Sequence, residues 1–313
     1  MVLFLYQPFK VRGFFVPGFI LKSFRILEAR GVKVILQQKS RDGSVKFLFE
    51  LSDHDTVETL YMHDRSNSLT YNSTVCVSSQ VGCRMGCLFC ATGNQGFKRN
   101  LSFDEIAGQV ELCASYCEEP IKAVVFAGMG EPLLNYENVK EAIFKLHNEH
   151  GINNFELATV GILPGIYKLI EDFENNGVSI RLNLSLHATT NEARNRLIPA
   201  NKRYNISDIL KAAVDYADAF GKKSRIRYML IKGVNDSEDD LKRLCTLLKD
   251  KPLKLIISAY NDNSIDGLNP PCENEVLSFY ENIKKSIETN LFYNFGTDIN
   301  GGCGQLRQLQ EIK

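Results

Sequence analysis

The chain has 313 residues, 44% hydrophobic and 24% charged, the proportions of an ordinary soluble globular protein large enough for one sizeable core. Its 37 basic residues balance 37 acidic ones, so the totals neither favour nor exclude a nucleic-acid partner. Nine cysteines, an odd number in a chain too large to need disulfide staples, point to a reducing cytoplasm and to metal or redox chemistry.

The opening MVLFLYQPFKVRGFFVPGFIL is apolar, but Gln7, Lys10 and Arg12 interrupt it. A spanning helix needs about 20 predominantly apolar residues, so no membrane anchor is expected, and no secretory signal is evident. LKSFRILEARGVKVI reads as a helix followed by a strand. SRDGSVKFLFEL and DTVETLYMHD read as two strands, with Asp42–Gly43 as turn punctuation. Residues 1–70 are expected to form a small N-terminal region of a helix plus short strands, and residues 71–313 the core.

From Thr74 onward strands and helices alternate. TVCVSS is a strand, and a cysteine-rich loop follows it. SFDEIAGQVELCASYC is a helix, with Ser102 as N-cap and Glu105 completing a capping box. IKAVVFAG, FELATVG, IRLNLSLHA, SRIRYMLIKG and LKLIISAYN are strands, each followed by a helical stretch. Six strand–helix units predict parallel strands and an α/β fold, a partial (β/α)6 TIM-like barrel, with a doubly wound sheet as the alternative. In such barrels chemistry gathers where strands end, and the unusual residues fall there: the cysteine loop, GMGEP, ATVG, SLHA, IKGVND and AYND.

Cys83-Arg-Met-Gly-Cys87-Leu-Phe-Cys90 brings three soft sulfur ligands together from one loop, which suits an iron–sulfur cluster or zinc. Structural zinc wants a fourth close ligand, and no nearby His or Cys is spaced for it. A 4Fe–4S cube held by three cysteines leaves one iron open, as for the amino and carboxylate end of S-adenosylmethionine in radical enzymes. In GMGEPLLN two glycines allow close backbone approach to a ligand, and Glu131 could accept from a methionine ammonium.

The run from Cys76 through CVSSQVGCRMGCLFCATGNQGFKRNLSFDEIAGQV resembles the RlmN/Cfr family of radical RNA methyltransferases. So do GMGEPLLN, SLHATTNEARNRLIPANKRYNI, GVND and GTDINGGCGQLR. The likeness runs from about Ser40 to Arg307. It implies a 4Fe–4S cluster on Cys83, Cys87 and Cys90, and two S-adenosylmethionine molecules per turnover. Gly130, Glu131, Ser185, Leu186, His187 and Asn261 match cofactor-contacting residues. Cys303 matches a cysteine methylated on sulfur, Cys76 its release partner, and Glu58 the proton acceptor. The implied substrate is an adenosine in ribosomal RNA, with transfer RNA a second one, carbon 2 favoured over carbon 8. A flavodoxin or ferredoxin would supply electrons, and no obligate protein partner is evident.

Read without the family, Cys76 is a core residue, Cys303 an inert loop thiol, and Glu58 an exposed strand glutamate. The chain departs from the family at Ala158, where a cofactor-binding hydroxyl is usual, at AYND, at FYNFG, and in its reduced N-terminus. Two rivals follow: a radical enzyme acting on a substrate other than RNA, and a non-catalytic relative that binds a cluster or RNA. Cys113, Cys117 and Cys245 read as core packing and Cys272 as a loop thiol. Lys98–Arg99, Lys202–Arg203 and GKKSRIR read as solvated basic faces that could meet phosphates.

Overall fold

A computed structural model of the chain describes residues 28–63, 72–117, 119–262, 265–302 and residue 305. Strands β1 (Glu28–Ala29), β2 (Val32–Lys39), β3 (Val45–Leu51) and β4 (Thr56–His63) form an antiparallel meander. Phe47, Leu48, Phe49 and Val57 are fully buried, which gives β3 and β4 their β preference and a reason to pack. The turn between β2 and β3 contains Asp42–Gly43 as expected, with Gly43 at φ 94°. The helix expected before Gly31 falls mostly outside the described residues; its last two positions are strand β1.

β5 (Ser73–Val77) pairs antiparallel with β4 on one side and parallel with β8 on the other. It is the hinge between the two halves of the sheet. β6 (Gln80–Gly82), α1 (Ala91–Asn94) and β7 (Phe97–Asn100) enclose the cysteine loop. Then α2 (Phe103–Tyr116), β8 (Ala123–Phe126), α3 (Tyr136–His150), β9 (Asn154–Thr159), α4 (Leu163–Phe173) and β10 (Ser179–Ser185) alternate. They are followed by α5 (Asn191–Leu197), α6 (Ile206–Phe220), β11 (Ser224–Leu230), α7 (Glu238–Leu248), β12 (Leu253–Ala259), α8 (Glu273–Ile283) and β13 (Thr289–Leu291).

Among the described residues, the eleven strands other than β6 and β7 form one sheet in the order β1-β2-β3-β4-β5-β8-β9-β10-β11-β12-β13. Among these residues its two ends do not pair, so the expected partial barrel is present and open. The parallel part holds one strand more than the six units expected, because β13, only three residues long, is too short to show a period. The sheet runs without a break across the boundary expected at residue 70, since Leu60 pairs with Cys76 and Tyr61 with Val75.

Capping fixes the helix ends. Ser102 and Glu105 make the expected capping box on α2, and Gly151 closes α3 in the left-handed region at φ 66°. The core lies between the sheet and these helices and contains Cys113, with Cys117 and Cys245 packed against it. Cys272 is exposed at the N-cap of α8. Among the described residues no helix is long and apolar enough to cross a membrane.

Candidate active site

The cysteine loop is pinched at its neck. Cys83 N–H donates to Gly96 O at 2.8 Å, and a Cβ on Gly82 would lie 1.9 Å from that same oxygen. Leu88 N–H donates to Leu197 O at 2.9 Å and fastens the loop to the end of α5. Burial, then the neighbouring cysteines, push the Cys87 thiol well above its ordinary range, and burial pushes Cys83 up to about 12. Thiols so placed stay protonated until a metal draws them into thiolates. Among the described residues only Glu111, Glu149 and His150 bring three ligand atoms within 4.8 Å of one another. Three soft sulfur donors on one short loop suit an iron–sulfur cluster.

The GMGEP turn follows β8, but its glycines serve the chain itself. A Cβ on Gly128 would lie 2.6 Å from Val77 O. Gly130 sits at φ 107°, where a Cβ would meet the Gln80 and Ser79 side chains at 2.7 and 2.8 Å. Both glycines also allow a close approach of this turn to the β5–β6 connection. Glu131 is 2% exposed; its carboxylate accepts Leu133 N–H at 3.1 Å and Val160 N–H at 2.9 Å. Burial raises its carboxyl to about 7 against these hydrogen bonds.

The ends of β9 to β12 carry the other expected contacts. His187 lies in the left-handed region at φ 54°, and its Nδ1 accepts Met229 N–H at 3.0 Å. Nε2 therefore bears the proton in the neutral ring. Burial, helped by the Arg194 and Arg227 charges, lowers His187 to about 3. Its ring meets Phe89 of the cysteine loop edge-on at 5.2 Å. Leu186 is fully buried, and its backbone is engaged within the barrel: its N–H donates to Arg227 O at 3.0 Å and its O accepts Ala188 N–H at 2.8 Å. Ser185 is half-buried, and Asn261 Oδ1 accepts from Asn294 at 2.6 Å. Ala158 lines a barrel cavity of about 170 Å³, together with Cys76, Asn183, Arg227 and Phe292.

Cys76 and Glu58 share this region. Lys46 pairs with Leu60, Leu60 pairs with Cys76, and Glu58 lies two residues from Leu60. With a side-chain period of two, Lys46, Glu58 and Cys76 project from one face of the sheet. Glu58 is not the exposed strand glutamate that its sequence context alone predicts: it is 2% exposed and pairs with Lys46 at 2.8 Å. Burial raises the Cys76 thiol, while Lys46 and Arg227 pull it down. Cys303 lies outside the described residues.

Arg194 escapes a sequence reading. It is fully buried, and its guanidinium donates to Leu186 O, Ser185 O and Val160 O at 3.1, 2.8 and 2.6 Å, tying the ends of β9 and β10 together. Several residues of the basic runs are paired: Lys98 with Asp55, Arg99 with Asp53 and Glu105, Lys223 with Glu288, and Arg225 with Glu156.

The radical SAM superfamily profile matches residues 77–245. A protein of Dictyoglomus turgidum named "Probable dual-specificity RNA methyltransferase RlmN" is 40% identical over 277 residues, spanning 86% of this chain and 77% of that protein. One from Syntrophotalea carbinolica, "Dual-specificity RNA methyltransferase RlmN", is 37% identical over 277 residues, 86% of this chain and 71% of that protein. The crystal structure of a radical SAM methyltransferase from Sphaerobacter thermophilus superposes with a TM-score of 0.80 at 31% identity, covering 88% of this chain and 81% of that one.

Proposed function

Because this chain belongs to the RlmN family of the radical SAM superfamily, we propose that it methylates carbon 2 of an adenosine in ribosomal RNA, and in transfer RNA, through an S-methylated Cys303. The supporting observation is the sheet face that Glu58 shares with Cys76, which lines the barrel cavity, and with Lys46, whose ammonium bonds Gly301 O and Gly302 O just before Cys303. Cys83, Cys87 and Cys90 would hold the 4Fe–4S cluster. Gly130, Glu131, Ser185, Leu186, His187 and Asn261 would hold S-adenosylmethionine. When bound and reduced by a flavodoxin or ferredoxin, these groups supply a 5′-deoxyadenosyl radical; a further S-adenosylmethionine supplies the methyl group.

The remaining work falls to the protein. The S-methyl group of Cys303 would give a hydrogen atom to the 5′-deoxyadenosyl radical, leaving 5′-deoxyadenosine, and would add through that carbon to adenine. The adduct's one surplus electron would return to the oxidised cluster held by Cys83, Cys87 and Cys90, and the proton at the attacked carbon passes to Glu58. Cys76 as thiolate then attacks the Cys303 sulfur. The sulfur–carbon bond breaks, a disulfide forms, and the released carbon takes a proton to become the methyl group. An external dithiol reduces the disulfide, which suits a cytoplasmic setting. The target base must leave its stack to reach this cavity.

Mass spectrometry of nucleosides from RNA treated with reconstituted, reduced protein tests the proposal. It predicts 2-methyladenosine. The carbon 8 isomer would overturn the regiochemistry, and 5′-deoxyadenosine without any methylated RNA would favour a different substrate.

A further inference from the structure

We propose that Lys46 is a positioning residue for the cysteine chemistry, and that the β2–β3 hairpin is the dock for the loop that leads into Cys303. The proposal rests on the two-cysteine reading above. Lys46 is 3% exposed on its side chain, so its ammonium must be compensated inside the protein. It bonds Glu58 Oε2 at 2.8 Å, Gly302 O at 3.0 Å and Gly301 O at 3.2 Å. Glu58 alone would balance the charge. The two carbonyls are additional, and they belong to the two residues before Cys303.

The rest of the loop is held by the same hairpin. Gly296 N–H donates to Asp42 Oδ2 at 2.8 Å, and Asn300 N–H donates to Gln38 Oε1 at 3.1 Å. Arg41 N–H donates to Asp298 Oδ2 at 3.1 Å, and Ser40 also bonds Asp298. A glycine-rich segment loses much conformational freedom on ordering and has little side chain to pack, so such backbone anchors decide where it lies. Gln38 is the cross-strand partner of Lys46 and shares its sheet face with Glu58 and Cys76; Lys46 differs from the other anchors because it bonds both the loop and Glu58. One ammonium thus sets the height of the loop against the groups that must act on its cysteine. The strands before residue 64 form part of the reaction centre rather than a detached appendage.

The experiment compares wild type, Lys46→Met and Lys46→Arg in reconstituted protein, counting 5′-deoxyadenosine formed per methyl group delivered to RNA. The wild-type ratio is expected near unity. Lys46→Met should raise it at least about tenfold, since small misplacements of a reacting group cost up to about 100-fold. Lys46→Arg, which keeps the charge and donors, should stay within about threefold of wild type. Hydrogen exchange at residues 296–302 in cluster-free protein should speed up in Lys46→Met. A lysine that only supports the fold would lower iron content, 5′-deoxyadenosine and product together and leave the ratio unchanged; that result overturns the proposal. If Lys46→Met does not fold, Gln38→Ala with Asp42→Asn loosens the same loop without stranding a buried charge. An unchanged ratio and unchanged exchange there would equally overturn it. Wild-type protein with no methyl on Cys303 would instead defeat the two-cysteine reading itself.

Discussion

His187 and Met229 are joined by a hydrogen bond from the Met229 backbone N–H to Nδ1 of the imidazole, 3.0 Å long, across the ends of neighbouring strands β10 and β11. The bond needs a neutral ring. His187 titrates near 3 in the fold, against 6.5 ordinarily, because it is buried and faces Arg194 and Arg227. The unfolded chain therefore takes the proton first as pH falls, and stability drops between pH 6.5 and 3 by roughly 1.4 kcal/mol per pH unit. Glu131 acts with the opposite sign. Its folded value of about 7 exceeds the ordinary 4.5, so its contribution is lost as pH rises through that window. In wild type the two slopes oppose each other between pH 5 and 6. Subtracting His187→Gln from wild type isolates one of them. Urea unfolding of cluster-free protein should show the wild-type advantage shrinking as pH falls from 7 to 5. A pH-independent difference would mean that the fold does not suppress His187 protonation.

Cofactor affinity should depend on charge more than on the missing hydroxyl. A hydrogen bond to a charged group contributes about 1.5–3 kcal/mol and a neutral one about 0.5–1.5. Glu131→Ala should weaken S-adenosylmethionine binding about 10- to 100-fold, and Asn261→Ala by a smaller factor. Ala158→Ser should change it least. Calorimetry showing unchanged affinity in both deletions would remove these residues from the site.

Arg194→Met should cost about 1–3 kcal/mol, the range for leaving buried acceptors unsatisfied. Val160 O and Ser185 O would lose the guanidinium, whereas Leu186 O keeps Ala188 N–H. Denaturant unfolding checks this, and a loss below about 1 kcal/mol would mean that the strand ends hold their positions unaided.

What the sequence made legible was local. The C-x-x-x-C-x-x-C spacing, the capping box at Ser102 and Glu105, and the alternation of strands and helices all act within a few residues of themselves. What it hid was non-local. Lys46 and Glu58 acquire their meaning from strand register, which makes them diagonal neighbours across β3 and β4 and sets both on the face of Cys76. Arg194, in a polar stretch that reads as a solvated helix face, is buried because its five donors suit several carbonyls at the ends of two strands. The GMGEP glycines were legible as close approach, but their approach to Val77 and Gln80 was not. The basic runs looked available for phosphate until the fold brought Asp53, Asp55 and Glu156 beside them.

Iron loading separates a cluster from zinc. Anaerobically reconstituted protein should bind about four irons, with the visible absorbance of a 4Fe–4S cluster. Replacing Cys83, Cys87 and Cys90 together with Ala should abolish both. Zinc bound one to one, with no iron-dependent absorbance, would contradict the assignment.

The two outlying cysteines should fail differently when removed. If Cys303 carries the methyl group, protein isolated with an intact cluster should yield a methylated peptide that contains it. Cys303→Ala then has no methyl to give up a hydrogen and should transfer nothing to RNA. Cys76→Ala retains the steps before release, because Cys76 enters only as the thiolate that attacks the Cys303 sulfur. That variant should accumulate a covalent protein–RNA adduct, visible as a nuclease-sensitive shift on a denaturing gel. Burial holds the Cys76 thiol above its ordinary value, with Lys46 and Arg227 opposing. Release should therefore speed up with rising pH, and adduct in wild type should be easiest to trap at low pH. The disulfide that ends the cycle requires sulfurs about 2 Å apart, so the Cys303 loop must be able to reach the β5 face. A generic radical enzyme has no reason to show this asymmetry, and neither does a non-catalytic binder. Equal, full activity in both variants would restrict the family's chemistry here to the scaffold.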